Sequence, residues 1–209
     1  MNTLQQIRFV WKPIVFLLCL VPAALVVGDA FGISGQLSAN PIEDILDRFG
    51  NWAIRFIMIT LAVTPLRRVT GWNWLVRFRR MLGLFTFFYV LMHFLTWLLL
   101  DQGLVIDPAF QWSTILEDLT ERPFITIGFT GLVLLTAMAV TSTTSMRRRM
   151  GKHWNKLHYS AYAVGVLGVW HYWWQVKKDT SDAWIYALIL AVLLGLRLFW
   201  RWRKASRGH

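Results

Sequence analysis

Six apolar runs separated by charged segments leave this chain few ways to fold. The runs extend from Val10 or Ile14 to Val27, Trp52 to Pro65, Met81 to Leu100, Phe124 to Thr143, Lys152 to Gln175 and Ala183 to Trp200. A run of this kind cannot be covered by a soluble core of 209 residues, and about 20 apolar residues in a helix span the hydrocarbon of a bilayer. In lipid every backbone amide and carbonyl must be satisfied within the segment or a closed barrel, and these lengths suit helices. The expected fold is therefore an all-α integral membrane protein, a bundle of six transmembrane helices in a single domain over residues 1–209. The first run could also be read as a signal-peptide h-region, since PAALVVGDAFG supplies small residues, but it fits a first membrane helix better. Pro65 is expected to stop or kink the second helix. No repeat of fixed period is visible.

The charges between the runs set an orientation. Of 22 Lys and Arg residues, 17 lie in or beside the amino terminus, the second and fourth connections and the carboxyl terminus. The other five, Arg48, Arg55, Arg122, Lys177 and Lys178, lie in or beside the opposite loops, as do all 11 acids. Basic residues are retained on the cytoplasmic side, so both termini are expected there, and the third and fifth helices run outward. The net charge of +11 thus reflects helix ends facing anionic lipid rather than binding of nucleic acid. A single cysteine, Cys19, excludes an intramolecular disulfide, a cysteine-ligated iron–sulfur cluster and the C-x-x-C-H attachment of a c-type haem.

Three histidines lie in apolar runs, where imidazoles are costly and usually mark a pathway or a cofactor. His93 comes thirteen positions after Arg80, and His171 fifteen after Lys156. Counted at about 1.5 Å per residue on parallel helices, their depths agree to about 3 Å. A depth-matched pair toward the exterior suits axial ligation of a b-type haem, although a lone membrane histidine also serves as an interhelical hydrogen-bonding residue.

His158 falls near the cytoplasmic face and has no histidine opposite. Arg79, fourteen positions before His93 and on nearly the same helix face, could meet a haem propionate, a flavin phosphate or a lipid headgroup. In an ideal helix His158 and His171 lie roughly 140° apart, and a π-bulge, or a distortion near Gly165 and Gly168, could bring them closer to one face. His153 and His209 read as solvated. Trp170, Tyr172, Trp173 and Trp174 read as an interfacial belt.

The segments RRMLGL with His93, TSTTSMRRRMGKHWNKLH with a further histidine thirteen residues on, TPLRR at 64–68 and RPFITIG at 122–128 resemble the ferric reductase-like transmembrane family. The resemblance is closest to the haem-binding membrane subunits of bacterial periplasmic methionine sulfoxide reductase systems. It implies one or two haem b groups, with His93, His158 and His171 as iron-ligand candidates and Arg79 beside a cofactor, and it leaves flavin mononucleotide (FMN) open. It also implies electrons from a cytoplasmic flavin reductase or quinol, and a periplasmic molybdopterin-containing reductase subunit as acceptor. The expected location is the bacterial inner membrane. Wider relatives carry two histidines on each of two helices and a fused flavin and nicotinamide domain. One of those histidines is missing here, and no such domain follows Trp200. Two other readings stay open: a small transporter or conductor whose histidines relay protons or bind metal, and a ferric reductase without a protein acceptor.

Overall fold

The computed structural model describes residues 3–176 and 180–206, so Lys177, Lys178, Asp179, Arg207 and His209 lie outside the described residues. These residues form helices, with no strand among them. α1 (Thr3–Gln6) passes through a π-helical turn, Ile7–Trp11, into α2 (Lys12–Ala30), followed by α3 (Pro41–Thr70). A 3₁₀ segment, Asn73–Phe78, leads into α4 (Arg79–Thr96), which widens into a second π-helical turn, Trp97–Asp101. α5 (Trp112–Glu121), α6 (Pro123–Val140), α7 (Thr144–Met150), α8 (Lys152–His158), α9 (Ser160–Gln175) and α10 (Ser181–Ala205) complete the chain.

Five helical segments are long and apolar enough to cross a membrane: Leu4–Ala30, Pro41–Thr70, Asn73–Asp101, Pro123–Val140 and Ser181–Ala205. The sixth expected span, Lys152 to Gln175, is divided at Tyr159 into α8 and α9. Tyr159 keeps right-handed helical dihedrals, φ −68° and ψ −20°, so the break is one turn residue between two helical pieces. The 16 residues of α9 reach about 24 Å at 1.5 Å each, short of a hydrocarbon core of about 30 Å.

Three further local expectations change. Pro65 lies inside α3, which continues to Thr70. Gly165 and Gly168 lie in unbroken α-helix; a Cβ on Gly165 would come within 2.8 Å of Leu61, and one on Gly168 within 3.1 Å of Ile57. They serve close packing against α3 rather than a bend. The loop between the third and fourth runs holds the unforeseen α5, which leaves Trp112 and Leu116 exposed.

The chain divides into two compact units, Met1–Ala53 with Phe88–Phe110, and Ile54–Phe87 with Gln111–His209. In the first, Tyr89 of α4 is fully buried. Its hydroxyl donates to the Cys19 carbonyl at 2.7 Å and accepts from the Ala23 amide at 3.2 Å. Those two groups are partners at i and i+4 in α2, beside Pro22, so the hydroxyl joins the helix ladder where a proline removes an amide donor. At the acidic end, Arg48 pairs with Asp29 at 2.5 Å and Asp44 at 2.7 Å. Glu43 and Asp44 sit in the first turn of α3, where the helix dipole favours negative charge.

In the second unit α6 and α9 form the most extensive helix pair, and α10 packs on α9. Thr86 is buried and donates to the Leu82 carbonyl at 3.0 Å, with its hydroxyl 3.0 Å from that of Thr60. At the other end of α9, Trp170 stacks on Trp174 with centroids 6.2 Å apart. Trp173 meets Trp184 edge-on at 4.4 Å, and Tyr172 meets Tyr186 edge-on at 5.3 Å.

Candidate functional site

Each unit holds one half-buried histidine, His93 or His171, by the same local device. In the first unit, His93 Nδ1 lies 2.9 Å from the Leu46 carbonyl of α3. In the second, His171 Nδ1 lies 2.8 Å from the Phe124 carbonyl of α6. Carbonyl oxygens only accept, so Nδ1 carries the proton in both rings and the lone pair resides on Nε2. That is the arrangement by which metal-ligating histidines are usually oriented, the second nitrogen fixing tautomer and ring plane.

A glycine stands four residues after each carbonyl, Gly50 after Leu46 and Gly128 after Phe124. A Cβ on Gly50 would come within 3.1 Å of His93 Cε1 and Nδ1, and one on Gly128 within 2.9 Å of the same atoms of His171. In an α-helix the amide at i+4 bonds the carbonyl at i. The glycine therefore uncovers the one carbonyl to which its own amide points, and the imidazole reaches it as a second donor. Each histidine lies 47 positions from its carbonyl, and all three positions recur at an offset of 78 residues. Gly50, Gly128, Leu46 and Phe124 were not singled out from the sequence. The equal spacing of the Gly–His pairs is their one trace in the sequence, and it becomes visible only once the carbonyl partners are known.

His158 is held differently. Its Nδ1 bonds the Trp154 carbonyl one turn back in α8 at 3.1 Å, and its ring stacks on the Trp154 indole with centroids 3.8 Å apart. The indole Nε1 donates to the Thr141 carbonyl at 3.0 Å, and the Arg147 guanidinium lies over the indole at 5.2 Å. Arg79 is near enough for its charge to act on His158. The structure thus brings Arg79 and His158 together electrostatically in the second unit, while His153 is exposed.

Among the described residues no three His, Cys, Asp or Glu side chains gather as a metal-ion cluster. A haem iron needs only two protein ligands, because the porphyrin provides the rest. Half-buried imidazoles fixed at Nδ1 by helix carbonyls fit that demand.

The sequence comparisons agree with this chemistry. The family model for the ferric reductase like transmembrane component matches residues 49–169. The MsrQ haem-binding subunit of protein-methionine-sulfoxide reductase from Ralstonia nicotianae is 50% identical over 197 residues, 93% of this chain and 87% of the relative. Its counterparts in Herminiimonas arsenicoxydans and Bordetella pertussis are 44% and 45% identical, covering 95% and 94% of this chain and 88% and 93% of their own lengths. No solved structure matches the chain. The chain belongs to the ferric reductase-like transmembrane family and, within it, groups with the MsrQ proteins.

Proposed function

We propose that the chain is the haem-binding membrane subunit of a methionine sulfoxide reductase system. It passes electrons from a cytoplasmic flavin reductase or quinol, through haem b, to a molybdopterin-containing reductase subunit in the periplasm. It lies in the bacterial inner membrane with both termini in the cytoplasm. The observation that carries this reading is the repeated cradle of His93 and His171, supported by relatives that are haem-binding subunits of that system.

In this reading His93 and His171 are the pair that would hold haem iron, each through Nε2. Leu46 and Phe124 hold the rings through their Nδ1 protons. Bound haem supplies a one-electron ferric/ferrous couple whose potential is set by ligand identity and burial. His158 and Arg79 mark the second cofactor position, toward the basic face, where a further haem or FMN is seated. The Trp154 indole fixes the His158 ring from one side, and Arg79 supplies positive charge.

An absorption spectrum of the purified protein tests the reading. A Soret band and a sharp α-band on reduction are expected, and His93→Ala and His171→Ala should each abolish the same haem population. Retention of the full spectrum in either variant would rule out the pairing. A lower haem-to-protein ratio in His158→Ala would count the second haem.

A further inference from the structure

Arg197 is a cation inside the membrane-spanning α10 with no counter-ion in reach along the chain. Its Nη2 donates to the Leu61 carbonyl of α3 at 2.5 Å. That carbonyl is available for a reason written in the sequence. The residue four positions on is Pro65, which has no amide proton to close the helical turn. The guanidinium also lies over the Tyr162 ring of α9 at 5.0 Å.

The Nε and Nη1 atoms of the same side chain are buried and have no hydrogen-bond partner among the described residues. A second cation, Arg79, is near enough for its charge to act on Arg197, as it does on His158. The chain has no Asp or Glu between Asp47 and Asp101, between Glu121 and Asp179, or after Asp182. The elements that supply Leu61, Arg79, His158, Tyr162 and Arg197 therefore offer no carboxylate near these positions. A buried charge without a paired opposite charge is among the costliest arrangements in a protein, more so in a membrane. The like charge of Arg79 makes the deficit larger.

We propose that Arg197, together with Arg79, forms an anion site on the basic side of the second unit. There the Nε and Nη1 donors of Arg197 hold the carboxylate or phosphate of a bound cofactor. The inference rests on the cofactor-binding reading above and adds the residue that anchors the cofactor's negative end. A haem propionate and the phosphate of FMN share the required chemistry.

The test uses the full-length protein purified with its cofactors, as wild type, Arg197→Gln and Arg197→Lys. Haem-to-protein ratio, haem midpoint potential and co-purified flavin fluorescence are read in parallel. If the anion is a propionate, Arg197→Gln loses haem about tenfold more readily, or retains it at a more negative midpoint because the oxidised form is no longer opposed by a nearby cation. Flavin is then unchanged. If the anion is a phosphate, flavin affinity falls about tenfold or more while the haem spectrum and potential stay as in wild type. Arg197→Lys keeps the charge with a single donor head and falls between wild type and Arg197→Gln in the affected readout. Should Arg197→Gln not fold, Arg197→Lys decides alone. Unchanged haem and flavin in the folded variants would overturn the anion site. Wild type without haem would instead overturn the reading of function on which the site rests.

Discussion

At the scale of single residues, the two glycines under the histidines carry a sharp expectation. Gly128→Ala places a methyl 2.9 Å from His171 Cε1 and Nδ1, a separation real Cβ atoms do not hold. Either the ring moves off the Phe124 carbonyl or the helices part. Gly50→Ala is milder, at 3.1 Å from His93. Loss of the group that orients a ligand histidine costs about 10- to 100-fold in affinity in metal sites. Haem retention is therefore expected to fall in both variants and further in Gly128→Ala, read as the haem-to-protein ratio after a fixed wash. Equal retention in Gly128→Ala and wild type would show that the cradle does not orient the ligand. The histidines were legible in the sequence because imidazole in an apolar run is conspicuous. Their partners were not, because a backbone carbonyl has no sequence signature and, of the three cradle positions, only the glycine and the histidine keep their identity at the 78-residue offset. Two matching identities are too few to register as a repeat.

At the scale of elements, helix existence was readable and helix interruption was not. Hydropathy marks where a chain is buried in lipid, whereas the division of the fifth run at Tyr159 depends on how α8 docks. That docking begins at Gly151, between α7 and α8, with φ +53° and ψ −121°. A side chain there meets nothing within 4 Å, so substitution is opposed by backbone strain alone. The turn lets Arg147 reach over Trp154, and Trp154 in turn carries the stacked His158 ring. Gly151→Ala is expected to destabilise the protein by about 1–3 kcal/mol, read as a lower midpoint in thermal unfolding in detergent. It should also perturb spectral features that depend on His158 and leave those of His93 and His171 in place. A variant as stable as wild type would mean that the turn tolerates an ordinary side chain. Pro65 teaches the same lesson. A proline in an apolar run suggests a stop or a kink; α3 does not stop there, and the orphaned Leu61 carbonyl becomes the acceptor for Arg197.

At the scale of the whole molecule, charge asymmetry was the most legible property, because it is a sum over many residues and does not depend on packing. Seventeen of 22 basic residues on one set of loops and all 11 acids on the other predict one orientation by retention of Lys and Arg in the cytoplasm. The division into two interleaved units is a property of contacts and left no trace in hydropathy. The orientation can be read by labelling single cysteines in a Cys19→Ser background, which removes the one native thiol, itself buried. Ser113 in α5, Ser145 in α7 and Ser206 after α10 are all exposed. With a membrane-impermeant maleimide on intact spheroplasts, Ser113→Cys should label at once, whereas Ser145→Cys and Ser206→Cys should label only after lysis. The reverse pattern would place the basic loops outside. It would put the Arg79 and Arg197 end of the second unit at the periplasmic face.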